Sequence, residues 1–177
     1  MTYKLVFDVE SVGLFGEGFA VGWVVVNSSG LEVESGFMST NHMSAVGLEG
    51  DINWIEENVV PALPKPLLDT PLTLRSKFWE VWMKWKEKGA ELWADCCWPV
   101  EANFLTQCVL DNPDERTWNG PYPLLDIASL LYLTGDPIKA FERLPNELPT
   151  HHPTNDARQS ARILIATLNE IAGTNND

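Results

Sequence analysis

The sequence predicts an α/β domain: a mixed sheet, an antiparallel meander plus parallel strands, flanked by helices. Three observations predict it. Three segments rich in Val, Leu and Phe, joined by short turns, run as far as Ser39. After Thr40 the apolar spacing changes to a helical period, with short strand-like runs between the helices. At 177 residues, with 45% hydrophobic residues and eight tryptophans, the chain is long enough to bury one core.

The elements follow in order. "YKLVFDVE" reads as a first strand, "FAVGWVVVN" (Phe19 to Asn27) as a second, "SSG" as a turn, and "LEVESGFMS" (Leu31 to Ser39) as a third with alternating pattern. Gly22 inside the second strand marks a bulge or a close approach. "DINWIEENVVPAL" carries Ile52, Ile55, Val59 and Leu63 at helical spacing and meets Pro61 near its end. The proline-rich stretch from Pro61 to Leu72 reads as an ordered connection. "LRSKFWEVWMKWKEKGA" places Leu74, Phe78, Val81, Trp82 and Trp85 on one helical face and reaches Gly89 as a C-cap. "ELWADC" is a short strand, Pro99 suits the first turn of the helix "PVEANFLTQCVL", and "PYPLLDIASLLYLTG" is a brief strand leading into a helix. "HHPTNDARQSARILIATLNEIAG" is the last helix. Residues 1–173 thus form a single domain, and 174–177 a disordered tail.

Net charge is −13, from 25 acids and 12 bases. Such a balance argues against gripping long duplex nucleic acid, which calls for a basic face. It argues less against holding a few nucleotides through bound cations. No apolar run is long enough to span a bilayer, and the amino terminus lacks the basic-then-apolar pattern of a signal segment. Cys96, Cys97 and Cys108 are an odd number without zinc-finger spacing, so a reducing cytoplasmic setting is expected.

The chemistry-bearing residues lie at the two ends. Asp8 and Glu10 are two apart on the first strand, so their side chains share a face. Adjacent carboxylates repel unless protonated, paired with cations or bound to metal; two solvated acids on a surface strand are the plain alternative. His151 precedes Asp156 where a loop enters the final helix. An acid in a first helical turn also has a bland explanation in the helix dipole.

Taken together, "FDVESVGL" and "HHPTNDARQSA" resemble the first and last motifs of the DEDDh (DnaQ-like) 3′–5′ exonuclease superfamily. Asp8, Glu10, Gly13 and Leu14 match the first pattern; His151, Asp156 and Ala157 match the last at the family spacing. The middle motif is represented by "LWADCCWPVEANFL". Its Phe104–Leu105 register places Glu101 where the family has an aspartate, with Asp95 at the strand end as the alternative. A helix-terminal acid and an N-cap are the structural explanations of these two. The resemblance implies an RNase H-like fold with the first strand central. It also implies two Mg²⁺ or Mn²⁺ ions held by Asp8, Glu10, Asp156 and the middle acid, and His151 as general base by the family spacing, with His152 the neighbouring alternative. Function then reads as two-metal 3′–5′ hydrolysis at a nucleic-acid 3′ end, RNA or DNA, short or single-stranded. A homodimer is the family's assembly expectation. The alternative is a catalytically impaired RNase H-like interaction module.

Phe15 and Phe19 follow the first motif, where this family holds the terminal nucleotide; Phe15 and, on the last helix, Arg158 are the substrate-binding candidates, with Arg162 one turn further on. Trp79, Trp82 and Trp85 have the spacing of a core face rather than a base-stacking platform. His42 sits in a loop without a sequence partner. Cys96 and Cys97 lack a nearby His or Asp in triad order, and "GLFGEG" lacks the Lys-Ser/Thr of a phosphate loop.

Overall fold

The computed structural model describes residues 2–47, 49–134 and 142–174. Its elements are β1 (Lys4–Ser11), β2 (Gly18–Val26), β3 (Glu32–Ser39), α1 (Glu49–Asn58), α2 (Pro71–Lys86), β4 (Glu91–Ala94), α3 (Val100–Leu110), α4 (Pro113–Arg116), β5 (Leu125–Asp126), α5 (Ile127–Leu133) and α6 (Pro153–Thr174). The strands form one sheet in the order β3-β2-β1-β4-β5. β1 pairs antiparallel with β2, and β2 with β3, while β4 and β5 continue in parallel beyond β1. The expected mixed sheet, with the first strand at its centre, is what forms.

The two faces of β1 divide the core. Leu5, Phe7 and Val9 face Leu74, Phe78 and Trp82 of α2 and Phe104 of α3. Phe7, Phe78 and Phe104 are almost fully buried, with ring centroids 5.1 and 5.5 Å apart along the row. Each such side chain contributes about 1.5–3 kcal/mol by leaving water. Trp79, Trp82 and Trp85 are all buried in this layer, as their spacing implied. On the opposite face Val6 and Val24 meet Ala157, Ala161 and Leu164 of α6 and Ile127 of α5. Small alanines let α6 lie close to the sheet. Asp8 and Glu10 belong to this second face, continuing the line of Val6.

Gly22 is a close approach. It lies opposite Asp8 in the ladder, whose register shifts fall elsewhere, at Glu10/Ser11 and Val25/Val26. A methyl group on Gly22 would stand 2.1 Å from the Thr154 backbone nitrogen and 2.3 Å from the Pro153 carbonyl carbon. The first turn of α6 therefore rests directly on β2 beside Asp8. Thr154 Oγ1 fastens the same turn by donating to the Gly36 carbonyl of β3 at 2.7 Å.

Several boundaries differ from the sequence reading. Thr70 caps α2 by accepting from the Thr73 amide at 3.1 Å, so the helix starts at Pro71, within the proline-rich connection. Pro61 lies in a 3-10 turn, Val60–Ala62, after α1. The single-turn α4 has no periodic signal to reveal it. Gly89, with φ +75°, turns the chain out of α2 toward β4. His42 does have a partner: its Nε2 is 3.4 Å from Glu56 Oε1 and its ring lies edge-on to Phe19. Thr174 closes α6, and the rest of the expected tail lies outside the described residues, as does Gly135 after α5. No helix among the described residues is long and apolar enough to cross a membrane.

Candidate active site

The sheet and α6 bring acids from four elements to one place. Asp8 and Glu10 project from β1, Asp156 from the first turn of α6, Glu101 from the first turn of α3, and Asp95 follows the end of β4. Their mutual fields record the proximity. Asp8 is pushed well above the usual carboxylate range, first by burial and then by Glu10, Glu101, Asp156 and Asp95. Glu10 is pushed up to about 8 by burial, then by Asp156 and Glu101. Burial likewise lifts Glu101 to about 7, although its own backbone amide and that of Val9 oppose the rise. The Val9 amide donates to Glu101 Oε1 at 3.4 Å, tying the helix terminus to β1 between Asp8 and Glu10. Asp95 is raised by burial and by Asp126, with Arg143 pulling it back.

The two histidines part company. His151 Nδ1 lies 3.9 Å from Glu10 Oε1, and Glu10, His151 and Asp156 each offer a ligand atom within 4.8 Å of the others. His151 adopts φ +60°, a left-handed conformation that side chains other than glycine seldom take. Such strain, about 1–3 kcal/mol, concentrates at functional sites. The ring of Trp54 in α1 meets the imidazole edge-on at 5.4 Å. His152 instead packs on Phe37, and burial lowers its pKa.

A cleft of about 280 Å³ opens beside Glu10, lined by Ser11, Gly13, Leu14, Asp51 and Trp54. A second, of about 550 Å³, shares Leu14 and Asp51 with it and extends past Phe15. Leu14, Phe15, Trp54 and Trp98 are all exposed large apolar side chains here, and Phe15 meets Trp98 edge-on at 6.2 Å. Phe19 belongs to the core. Arg158 is engaged by Glu32 at 2.9 and 3.2 Å and by the Asn146 carbonyl at 3.0 Å. Among the described residues Arg143 reaches the acids, donating to Asp156 Oδ1 and, at 3.0 Å, to the Glu147 carbonyl.

Arg143, Asp126, Trp54 and Trp98 went unmarked in the sequence. Arg143 carries no motif or period. Asp126 had a usable signal: it ends a strand and caps α5 through the Ser129 amide at 3.2 Å. It stands in register with Ala94, one residue before Asp95. Burial pushes the thiols of Cys97 and Cys108 up to about 12, away from the reactive thiolate form at neutral pH.

No protein-family model and no curated protein matches this sequence. Among solved structures, the chain is similar to the zinc-ion-bound form of the E. coli ExoI–ssDNA complex, with a TM-score of 0.61 and 9% identity. The match covers 95% of this chain and 40% of that one, so this chain spans well under half the length of its structural neighbour. At that identity the likeness is one of fold, and the fold is RNase H-like.

Proposed function

We propose that residues 1–173 form a divalent-metal-dependent 3′–5′ exonuclease domain of DEDDh type, acting on the 3′ end of a short or single-stranded nucleic acid. One observation carries the reading: acids from β1 and α3 crowd one site, where burial and mutual repulsion raise Asp8, Glu10 and Glu101 above the usual carboxylate range, and Asp156 of α6 offers a ligand atom within 4.8 Å of those of Glu10 and His151. An all-oxygen acidic set with one imidazole beside it fits hard divalent cations. Asp8, Glu10, Asp156 and Glu101 would hold them, with Asp95 the alternative in the middle position. Bound there, Mg²⁺ or Mn²⁺ supplies the charge that ionises the acids, activates water and stabilises a leaving oxygen.

The chain's own groups divide the remaining work. His151 Nδ1 is turned toward Glu10, which leaves Nε2 to take the proton of the attacking water. Glu10 and Trp54 fix the ring from two sides. Phe15, with Trp98, offers an apolar wall for the terminal base, and such stacking suits any base.

The test is release of mononucleotides from 3′-labelled RNA and DNA oligomers with Mn²⁺ or Mg²⁺, with EDTA and Asp8→Ala as controls. Loss of a shared ligand should lower the rate by at least 100-fold, about 2.7 kcal/mol. Activity that survives either control overturns the reading. Oligomer binding without release would favour the interaction module.

A further inference from the structure

The segment leading into α6 is strapped down by arginines. Glu147, 1% exposed, accepts from Arg162 Nε at 2.6 Å, Arg162 Nη2 at 2.8 Å and the Leu144 amide at 2.8 Å. Arg162 Nη2 also donates to the Glu142 carbonyl at 2.9 Å, and Arg158, one turn earlier on α6, holds the Asn146 carbonyl at 3.0 Å. The segment 142–147 is thus fixed on α6, and it presents Arg143 to the acids. The Arg143 Nη1 bridges the Glu147 carbonyl and Asp156 Oδ1. Asp156 is among the residues whose ligand atoms converge with those of Glu10 and His151.

Resting on the function proposed above, we infer that Arg143 is a resident counter-cation. A divalent ion must displace it from Asp156, and the freed guanidinium then binds the phosphate of the terminal nucleotide. An ion that takes Asp156 Oδ1 competes with Arg143 Nη1 for that oxygen, and the two like charges repel at such short range. A guanidinium that loses a carboxylate seeks another planar or tetrahedral oxyanion, and its fork fits phosphate in two-point contact. The Glu147 carbonyl keeps the side chain at the site's edge during the exchange, because Glu147 is itself locked by Arg162.

The experiment measures Mn²⁺ binding by electron paramagnetic resonance, and 5′-AMP binding at saturating Mn²⁺, in the wild-type chain, Arg143→Gln, Arg143→Lys and Asp8→Asn. Arg143→Gln should bind Mn²⁺ about tenfold more tightly and 5′-AMP about tenfold more weakly. Arg143→Lys keeps the charge without the fork, so it should match the wild type for Mn²⁺ yet lose nucleotide affinity. Unchanged or weaker Mn²⁺ binding by folded Arg143→Gln overturns the inference. Should that variant fail to fold, unchanged 5′-AMP affinity in Arg143→Lys overturns it equally. If Asp8→Asn loses Mn²⁺ while Arg143→Gln changes nothing, only the role of Arg143 falls. If Asp8→Asn keeps full Mn²⁺ affinity, the metal site falls and this inference with it.

Discussion

With divalent cations chelated, raising the pH from 5 to 8 is expected to destabilise the protein, because its acids lie where ionisation is costly. Glu10 moves from 4.5 to about 8 and Glu101 from 4.5 to about 7 on folding. An acid with a raised folded pKa keeps a proton that the unfolded chain has released. Its contribution is fully present below 4.5 and is lost as pH climbs to the folded value. Between pH 5 and 8 that amounts to about 3.5 kcal/mol for Glu10 and about 2.5 kcal/mol for Glu101. The two are coupled through shared repulsion, so their sum overcounts, and about 3 kcal/mol is the figure to test. For a chain of this size it corresponds to a fall in Tm of roughly 6–12 °C. His152 works in the opposite direction, since burial lowers its pKa and its charging below neutrality costs stability. Comparison with Glu10→Gln cancels that contribution. Differential scanning fluorimetry in EDTA should show the fall in the wild type and a flatter profile in Glu10→Gln, and saturating Mn²⁺ at pH 8 should restore the lost stability. A wild-type Tm that rises or stays level over this range in EDTA refutes the electrostatic account of the site.

Two further outcomes follow from the geometry. Glu101→Gln should weaken Mn²⁺ binding at least tenfold, about 1.4 kcal/mol, with a smaller loss in Asp95→Asn; calorimetric titration showing the reverse order would give the middle position to Asp95. Gly22→Ala should force α6 away from β2, costing about 2 kcal/mol or more and roughly 4–8 °C in Tm. Because Asp156 rides on that helix, the nuclease activity proposed above should fall in Gly22→Ala even at temperatures where circular dichroism shows the chain folded. A fully active variant of unchanged Tm would contradict the packing.

What was legible in the sequence had a period or a fixed spacing behind it. The alternation of Asp8 and Glu10 with Phe7 and Val9 set their common face before any coordinates, and the turn signals around "SSG" set the meander. Gly22 signalled either a bulge or a close approach, and only the packing of the first turn of α6 decides for the latter. The unreadable parts depend on contacts between distant segments. Arg143 reaches Asp156 only because Glu147 is buried against Arg162, and no local pattern encodes that chain of dependence. Trp54 and Trp98 sit in unremarkable stretches and gain meaning from the neighbours they meet, His151 and Phe15.

Glutamate stands at position 101, where the motif resemblance described above expects an aspartate, and the geometry gives it a physical sense. Glu101 sits in the first turn of α3, where Pro99 offers no side-chain cap and the helix dipole favours an anion. Its carboxylate is not spent on capping alone; it extends to the Val9 amide on β1, so it lies in the same field as Asp8 and Glu10. An aspartate there would stop one carbon–carbon bond short, about 1.5 Å, and would need α3 closer to the sheet. Phe104 already packs against Phe78 and beside Gly18, where even a methyl group would come within 2.7 Å of its ring, which leaves the helix little room to move inward. The longer side chain therefore reaches β1 from where Phe104 holds α3, and it keeps a carboxylate oxygen facing the strand.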